Sequence, residues 1–310
     1  MTPQHQKRTT MSRSTSNIIT VIAITLVLTL TISNKAEAQQ DPNFTLYNFN
    51  MNIINPAFAG TQDSPELNLV YRNQYLGVDD APRTISMAYS RPMGNRLGLG
   101  ISVINDRVFV LTETDIAIDV SYRLQVGEET NLYFGLKAGG GFTNIDLTRA
   151  FNGGNDPLFQ ENQDFFNPHI GAGLNLQNEK FYISISTPNF LRGDRYIKQG
   201  NIPSAAVDQS HFYVGGGYNF TINENLMLTP RAMMRTVEGA PTSYDVGASL
   251  DIQQRFIAGL NYRVDEMVAV YGLFQVVNKL KLGVAYDITT SDVNLVNDDG
   301  SLEFILKYQF

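Results

Sequence analysis

The chain has 310 residues, with 23 Lys and Arg against 30 Asp and Glu, for a formal charge of −7. An acidic balance speaks against nucleic acid, which calls for a basic footprint. The absence of cysteine excludes a disulfide framework and thiolate metal sites.

In chain order, the first element is a leader over residues 1–38. Lys7, Arg8 and Arg13 form a basic start, Ile18–Ile32 an apolar run, and Ala36-Glu37-Ala38 an A-x-A cleavage site. The run is shorter than the roughly 20 residues of a membrane-spanning helix, so a signal peptide is expected rather than a retained anchor. The leader carries Lys7, Arg8, Arg13 and Lys35 against Glu37, a net of +3, so its removal takes −7 to −10. Cleavage would leave residues 39–310, and no Pro- or Gly-rich linker divides them.

Residues 39–62 are neither strand-like nor a plain linker. Asn and aromatic residues dominate them, and Asn55-Pro56 is a turn former. From residue 63 onward the pattern is short segments of period two, not of helical period. In 115–124, Ile116, Ile118, Val120, Tyr122 and Leu124 alternate with Asp115, Ala117, Asp119, Ser121 and Arg123. In 244–253, Tyr244, Val246, Ala248, Leu250 and Ile252 alternate with Asp245, Gly247, Ser249, Asp251 and Gln253. Fourteen such strands are expected at 66–72, 84–90, 96–104, 113–124, 131–145, 168–177, 180–188, 211–220, 226–235, 244–252, 255–262, 267–275, 280–288 and 301–310.

Short connections follow even-numbered strands, and mostly long ones, notably 146–167, 189–210 and 289–300, follow odd-numbered strands. Only 263–266 breaks that alternation. This is the habit of an outer-membrane barrel with short periplasmic turns. The fold expected is therefore all-β: a transmembrane antiparallel barrel of about 14 strands over 63–310, with an N-terminal periplasmic or plug segment over 39–62. An even strand count places both termini in the periplasm.

The last strand ends the chain. Leu302, Phe304, Leu306, Tyr308 and Phe310 share one face, and Glu303, Lys307 and Gln309 the other. An unpaired apolar edge invites aggregation in a soluble sheet, whereas in a membrane strands must close into a barrel. Alternating apolar residues ending in Phe resemble the signal by which such barrels are recognised for assembly. Phe310 is expected to close the seam against the first strand near Tyr71.

The block Asp41-Pro42, then Asn-and-aromatic residues, then Ile54-Asn55-Pro56-Ala57-Phe58-Ala59-Gly60 resembles the opening of the PorP/SprF-type outer-membrane proteins of the type IX secretion system in Bacteroidota. The likeness continues through Tyr71-Arg72-Asn73-Gln74-Tyr75 with Gly77, Ala81-Pro82, 98–107, 211–220 and the closing strand. Where the family often has Trp after Arg-x-Gln, this chain has Tyr75. The resemblance implies a non-enzymatic barrel that aids export or surface attachment of secreted proteins such as gliding adhesins, or links to periplasmic peptidoglycan-binding or secretion-system subunits. Its partners would be outer-membrane lipid and proteins, and it would carry no cofactor. For residues 41–60, filling the barrel mouth and contacting periplasmic partners both remain open.

No constellation for catalysis stands out. His169 and His211 each start a strand, no serine sits in a nucleophile motif, and two His without Cys do not make a zinc site. The glycine triplets at 139–141 and 215–217 lie inside strands with no helix following, which points to close packing. The competing reading is a fatty-acid-channel-like transporter of small hydrophobic solutes, on the strength of the strand count and Asn55-Pro56-Ala57. Such a transporter wants an apolar tunnel, and the inward set here includes Asp119, Arg123, Arg231, Asp245, Asp251 and Lys281.

Overall fold

The computed structural model describes residues 43–150, 162–190, 194–199, 202–207, 210–237, 240–290 and 299–310. The strands are β1 (Glu66–Asn73), β2 (Arg83–Met93), β3 (Leu97–Val108), β4 (Leu111–Gln125), β5 (Asn131–Ile145), β6 (Gln163–Gln177), β7 (Phe181–Thr187), β8 (Asp194–Gln199) and β9 (Ile202–Val207). They continue as β10 (His211–Tyr218), β11 (Phe220–Asn223), β12 (Leu226–Val237), β13 (Ser243–Ile252), β14 (Phe256–Arg263), β15 (Met267–Val277), β16 (Leu280–Thr289) and β17 (Ser301–Gln309). Consecutive strands from β1 to β7 and from β11 to β17 are antiparallel neighbours. β1 also pairs with β17, and β10 bridges β7 and β12, so the sheet has no free end. With β10 and β11 counted as one interrupted strand, the barrel has fourteen strands. The β8–β9 hairpin is a separate sheet within the long connection from β7 to β10.

A single register assigns every second residue to the lumen. Arg72, Thr84, Asp106, Glu113 and Thr143 oppose one another in turn from β1 to β5. In the other direction Arg72 faces Glu303, then come Ala285, Tyr271 and Gly259. The alternate positions point outward: Ile116, Ile118, Val120, Tyr122, Leu124, Leu136, Val246, Leu260 and Val284 are exposed apolar residues on the outer wall. One-residue slippage would turn all of these into the lumen and the charges into lipid, so burial itself fixes the register. No helix among the described residues is long and apolar enough to cross a membrane, and strands of this length do that work.

Three details depart from the expected boundaries. β3 and β4 run on to Val108 and from Leu111, leaving only a two-residue turn in which Phe109 has φ 54°. The connection at 109–110 is thus a second short one after an odd strand; the bonds Thr84 Oγ1 to Asp106 and Asn105 to Thr114 extend the ladder beyond the alternating region. β6 starts at Gln163 and contains Pro168, which a fully paired strand would not tolerate. Its pairing to β7 begins only at Ala172, so Pro168 has a free flank on that side. The expected strand 211–220 breaks at Asn219, opposite the stretch of β12 that contains Pro230 and its missing N–H.

Candidate functional site

Residues 43–60 lie inside the barrel without joining its sheet. Three 3-10 turns, Tyr47–Phe49, Met51–Ile53 and Pro56–Phe58, satisfy part of the backbone locally. Phe44, Leu46, Tyr47, Met51 and Ile53 are buried with Val70, Ala88, Tyr213, Met233, Tyr271, Leu273 and Ile305 from the inner wall. Segment and wall together form the hydrophobic core.

The segment is anchored at both ends. At the first, buried Glu303 accepts the N–H of Thr45 (2.7 Å) and of Leu46 (3.0 Å). Arg72 lies 3.1 Å from Glu303 and 2.7 Å from Asp287, and Asp287 accepts the Thr45 hydroxyl at 2.8 Å. All three charges are buried and each has an opposite partner, the condition under which ions survive away from water. At the second end Asn55, 1 % exposed, accepts the Ala57 N–H at 2.9 Å as a cap and donates to the Leu174 and Ile185 carbonyls of the wall. Ser186 donates to the Ile54 carbonyl (2.8 Å) and Ser121 to that of Ala59 (2.6 Å).

Glycines make that fit possible. A Cβ at Gly98 would overlap the Ala59 carbonyl, one at Gly135 the Ala57 nitrogen, and one at Gly173 the Asn55 side chain. Gly60 turns the chain out of the lumen with φ +65° against the Arg91 carbonyl, a conformation and a gap that suit only glycine.

Between the anchors, Lys307 donates to the Phe49 carbonyl (2.9 Å) while paired to Glu66 (3.1 Å). Lys137, ion-paired to Asp119 at 2.8 Å, reaches the Asn52 carbonyl at 3.4 Å. Phe49 packs edge-on against Tyr271 and beneath the Arg231 guanidinium, both at 5.9 Å, and Phe58 packs edge-on against Tyr182. Arg231 also donates to Ser249. Tyr47 Oη, Asn50 Nδ2 and Asn52 Nδ2 are buried without a protein partner among the described residues.

The segment has a direction. Thr45 sits among Arg72, Asp287 and Glu303, near the barrel end that bears the long connections. Ala59 and Gly60 leave beside Gly98 and Arg91, next to the short turn 94–96. A cavity of about 230 Å³ opens there, lined by Gly60, Asp63, Arg96, Gly98, Ser121 and Arg123 among others.

Of the sequence-derived signature, Ile54, Asn55, Pro56, Ala57, Phe58, Ala59 and Gly60 thus converge on β3 to β7. Asp41, Pro42 and the leader lie outside the described residues. Leu302, Phe304, Leu306, Tyr308 and Phe310 all face away from the lumen. Phe310 donates its N–H to Pro65 and its ring packs edge-on with Tyr89 and Tyr308, while Tyr71 faces Phe304 at the other end of β1. The contact of Phe310 near Tyr71 is therefore not made, because an antiparallel partner of eight paired residues carries the terminus to Pro65. Sequence reasoning missed the anchoring roles of Arg72, Asp287, Glu303, Lys137, Ser121 and Ser186. Their one signal was polar character at inward positions.

His169 Nδ1 lies 3.2 Å from Asp115, and His211 stacks on Tyr213. Gly140 faces the Phe166 ring and Gly217 the Tyr182 ring, close contacts that account for glycine there. Among the described residues no group of three His, Cys, Asp or Glu is placed to hold a metal.

A family model described as "Type IX secretion system membrane protein PorP/SprF" matches residues 36–308. No curated protein matches the sequence. Among solved structures, the CymD monoaromatic hydrocarbon channel is similar at 13% identity and TM-score 0.51, over 90% of this chain and 95% of that one. A Pseudomonas aeruginosa FadL homologue follows at 13% and 0.48, over 89% and 96%. The Acinetobacter baumannii outer membrane protein Omp33 stands at 10% and 0.47, over 80% and 100%. At such identities the likeness is one of barrel fold alone.

Proposed function

We propose, since the chain belongs to the PorP/SprF family of type IX secretion system membrane proteins, that it is an outer-membrane docking component of that system. It aids the export or surface attachment of secreted proteins such as adhesins, and its short-turn end, with Phe310, faces periplasmic secretion-system or peptidoglycan-binding subunits. The observation that carries this reading is the family match over nearly the whole chain. Residues 43–60 act as a plug. The buried ion pairs that interrupt the apolar lining of the lumen, Arg72 with Asp287 and Glu303 and Lys137 with Asp119, weigh against a channel for small hydrophobic solutes. The role is binding, not chemistry.

Deletion of the gene, followed by comparison of the surface proteome and of hydrophobic-solute uptake with the parent strain, tests the proposal. A specific large surface protein is expected to be lost while uptake is unchanged. An intact surface proteome with lost uptake would replace this reading with the transporter.

A further inference from the structure

The outer wall of the barrel is almost free of charge. Among the described residues of its strands, the register turns four charged side chains outward: Arg83 and Arg91 on β2, Arg107 on β3 and Asp164 on β6. Asp164 accepts the Asn144 amide at 2.8 Å, and Arg91 stands by itself near the short turn 94–96. Arg83 and Arg107 instead face each other directly across the β2–β3 ladder, at the end of the long connections. Side chains so opposed have Cβ atoms about 5 Å apart, and like charges at that spacing repel.

Nothing in the chain offsets this repulsion. Both arginines are exposed, and neither forms an ion pair or a side-chain hydrogen bond among the described residues. The neighbouring carboxylates are turned elsewhere. Asp106 points into the lumen and accepts the Thr84 hydroxyl at 2.6 Å, Asp80 pairs with Arg149 at 3.0 Å, and Asp79 reaches neither guanidinium. Two unbalanced cations therefore stand side by side.

Beneath them the wall is apolar. Ile85, 54% exposed, lies two residues below Arg83 and is flanked by Tyr71, with Met87 next along the strand. Below Arg107 come Asn105, hydrogen-bonded to Thr114 at 2.8 Å, and then Val103 opposite Ile116. At about 3.3 Å per residue, the two arginines sit roughly 7 and 13 Å along their strands from the first apolar row. With the tilt of barrel strands, that is the depth of lipid headgroups above the hydrocarbon.

We propose that Arg83 and Arg107 form a clamp for the phosphate of an outer-leaflet lipid, whose acyl chains lie on the wall of Tyr71, Ile85, Val103 and Ile116. The ligand group is a phosphate because guanidinium forks bind its oxygens in pairs and its charge offsets two cations at once. It belongs to a lipid because the apolar surface directly below is covered by chains of the same leaflet. Assignment to the outer leaflet rests on the orientation proposed above, with the long connections outside; the binding chemistry does not.

The test uses the full mature barrel, purified in a neutral maltoside detergent and verified as heat-modifiable. Hexa-acylated bisphosphoryl lipid A is added, and bound lipid is titrated by native mass spectrometry. Arg83→Gln and Arg107→Gln are each expected to weaken retention about fivefold, and the double variant about tenfold or more. Arg91→Gln, outward at the opposite rim, should stay within about twofold of wild type, and lipid A stripped of its phosphates should bind wild type about tenfold more weakly or worse. Equal retention by the double variant, equal retention of the dephosphorylated lipid, or an equal loss in Arg91→Gln would each overturn the proposal. Displacement of lipid A by excess inorganic phosphate would overturn it in favour of a soluble anion. Should the double variant fail to assemble, thermal unfolding of Arg107→Gln decides. In detergent alone it should be at least as stable as wild type, since one of two opposed like charges is gone, and lipid A should raise the wild-type midpoint by more than the variant's. Equal stabilisation of both by lipid A would count against the clamp. The surface proteome reports the export role whatever lipid the barrel holds, so either idea can fail alone.

Discussion

Replacing Glu303 with alanine is expected to free residues 43–60 while the barrel stays closed. The carboxylate is fully buried and accepts the amides of Thr45 and Leu46 at 2.7 and 3.0 Å. Its removal strands both N–H groups, and a buried donor without a partner costs about 1–3 kcal/mol. Arg72 keeps Asp287 at 2.7 Å, so the larger penalty of a bare buried ion is avoided. The loss is then about 2–6 kcal/mol, and it falls on docking, because β17 holds β1 and β16 through its backbone. Even the lower bound shifts the docked-to-free ratio roughly thirtyfold, as 1.4 kcal/mol is a factor of ten. Glu303→Gln keeps one carbonyl oxygen and should fall between wild type and alanine.

Limited chymotrypsin digestion of the full chain in detergent measures this directly, since the segment offers Phe44, Tyr47, Phe49 and Phe58. Cleavage follows the free population when redocking is fast. The alanine variant should be cut within the segment at least thirtyfold faster, with unaltered heat-modifiability. Wild-type cleavage rates in a folded variant would refute the anchoring role of Glu303, and loss of the barrel itself would show that the cost had been assigned to the wrong part of the molecule.

Two further predictions concern assembly and the lipid face. Phe310→Ala, or deletion of Phe310, should lower the assembled amount in the outer membrane without altering what does assemble, since the ring's contacts with Tyr89 and Tyr308 lie outside the lumen; unchanged levels by quantitative blotting would contradict it. Leu136→Lys, at an outward position 64% exposed in the middle of β5, should destabilise the barrel in lipid by about 2–4 kcal/mol, measured by urea titration in vesicles, and a neutral effect would argue that this face does not meet hydrocarbon.

The barrel was legible because it is a local property. Lipid outside and polar lumen inside impose opposite chemistry at period two, and ten residues such as 115–124 are enough to read it. Strand ends were less legible, since beyond the bilayer that contrast fades: β3 and β4 run on through mixed sequence, and β6 begins five residues before the expected start at Pro168. The anchors were invisible for another reason. Arg72 and Glu303 stand 231 positions apart and meet only through the β1–β17 seam, while Gly98, Gly135 and Gly173 read as ordinary strand glycines until a chain lies against them. Least legible was the direction of residues 43–60. An even strand count does put Glu66 and Gln309 at one end, opposite each other in register. It carries the amino terminus with them only if the segment before β1 stays at that end, and Thr45 instead sits by Asp287 and Arg72 near the far one. A cysteine-free chain makes the consequence measurable. Asn43→Cys in intact cells is expected to react with a membrane-impermeant maleimide, because the described segment begins toward the long connections. Asn95→Cys, in the short turn 94–96, should react only after the outer membrane is opened. Labelling of Asn43→Cys that also requires opening the membrane would place the segment's first residue on the periplasmic side, and the chain would then have to double back through the lumen before reaching Thr45.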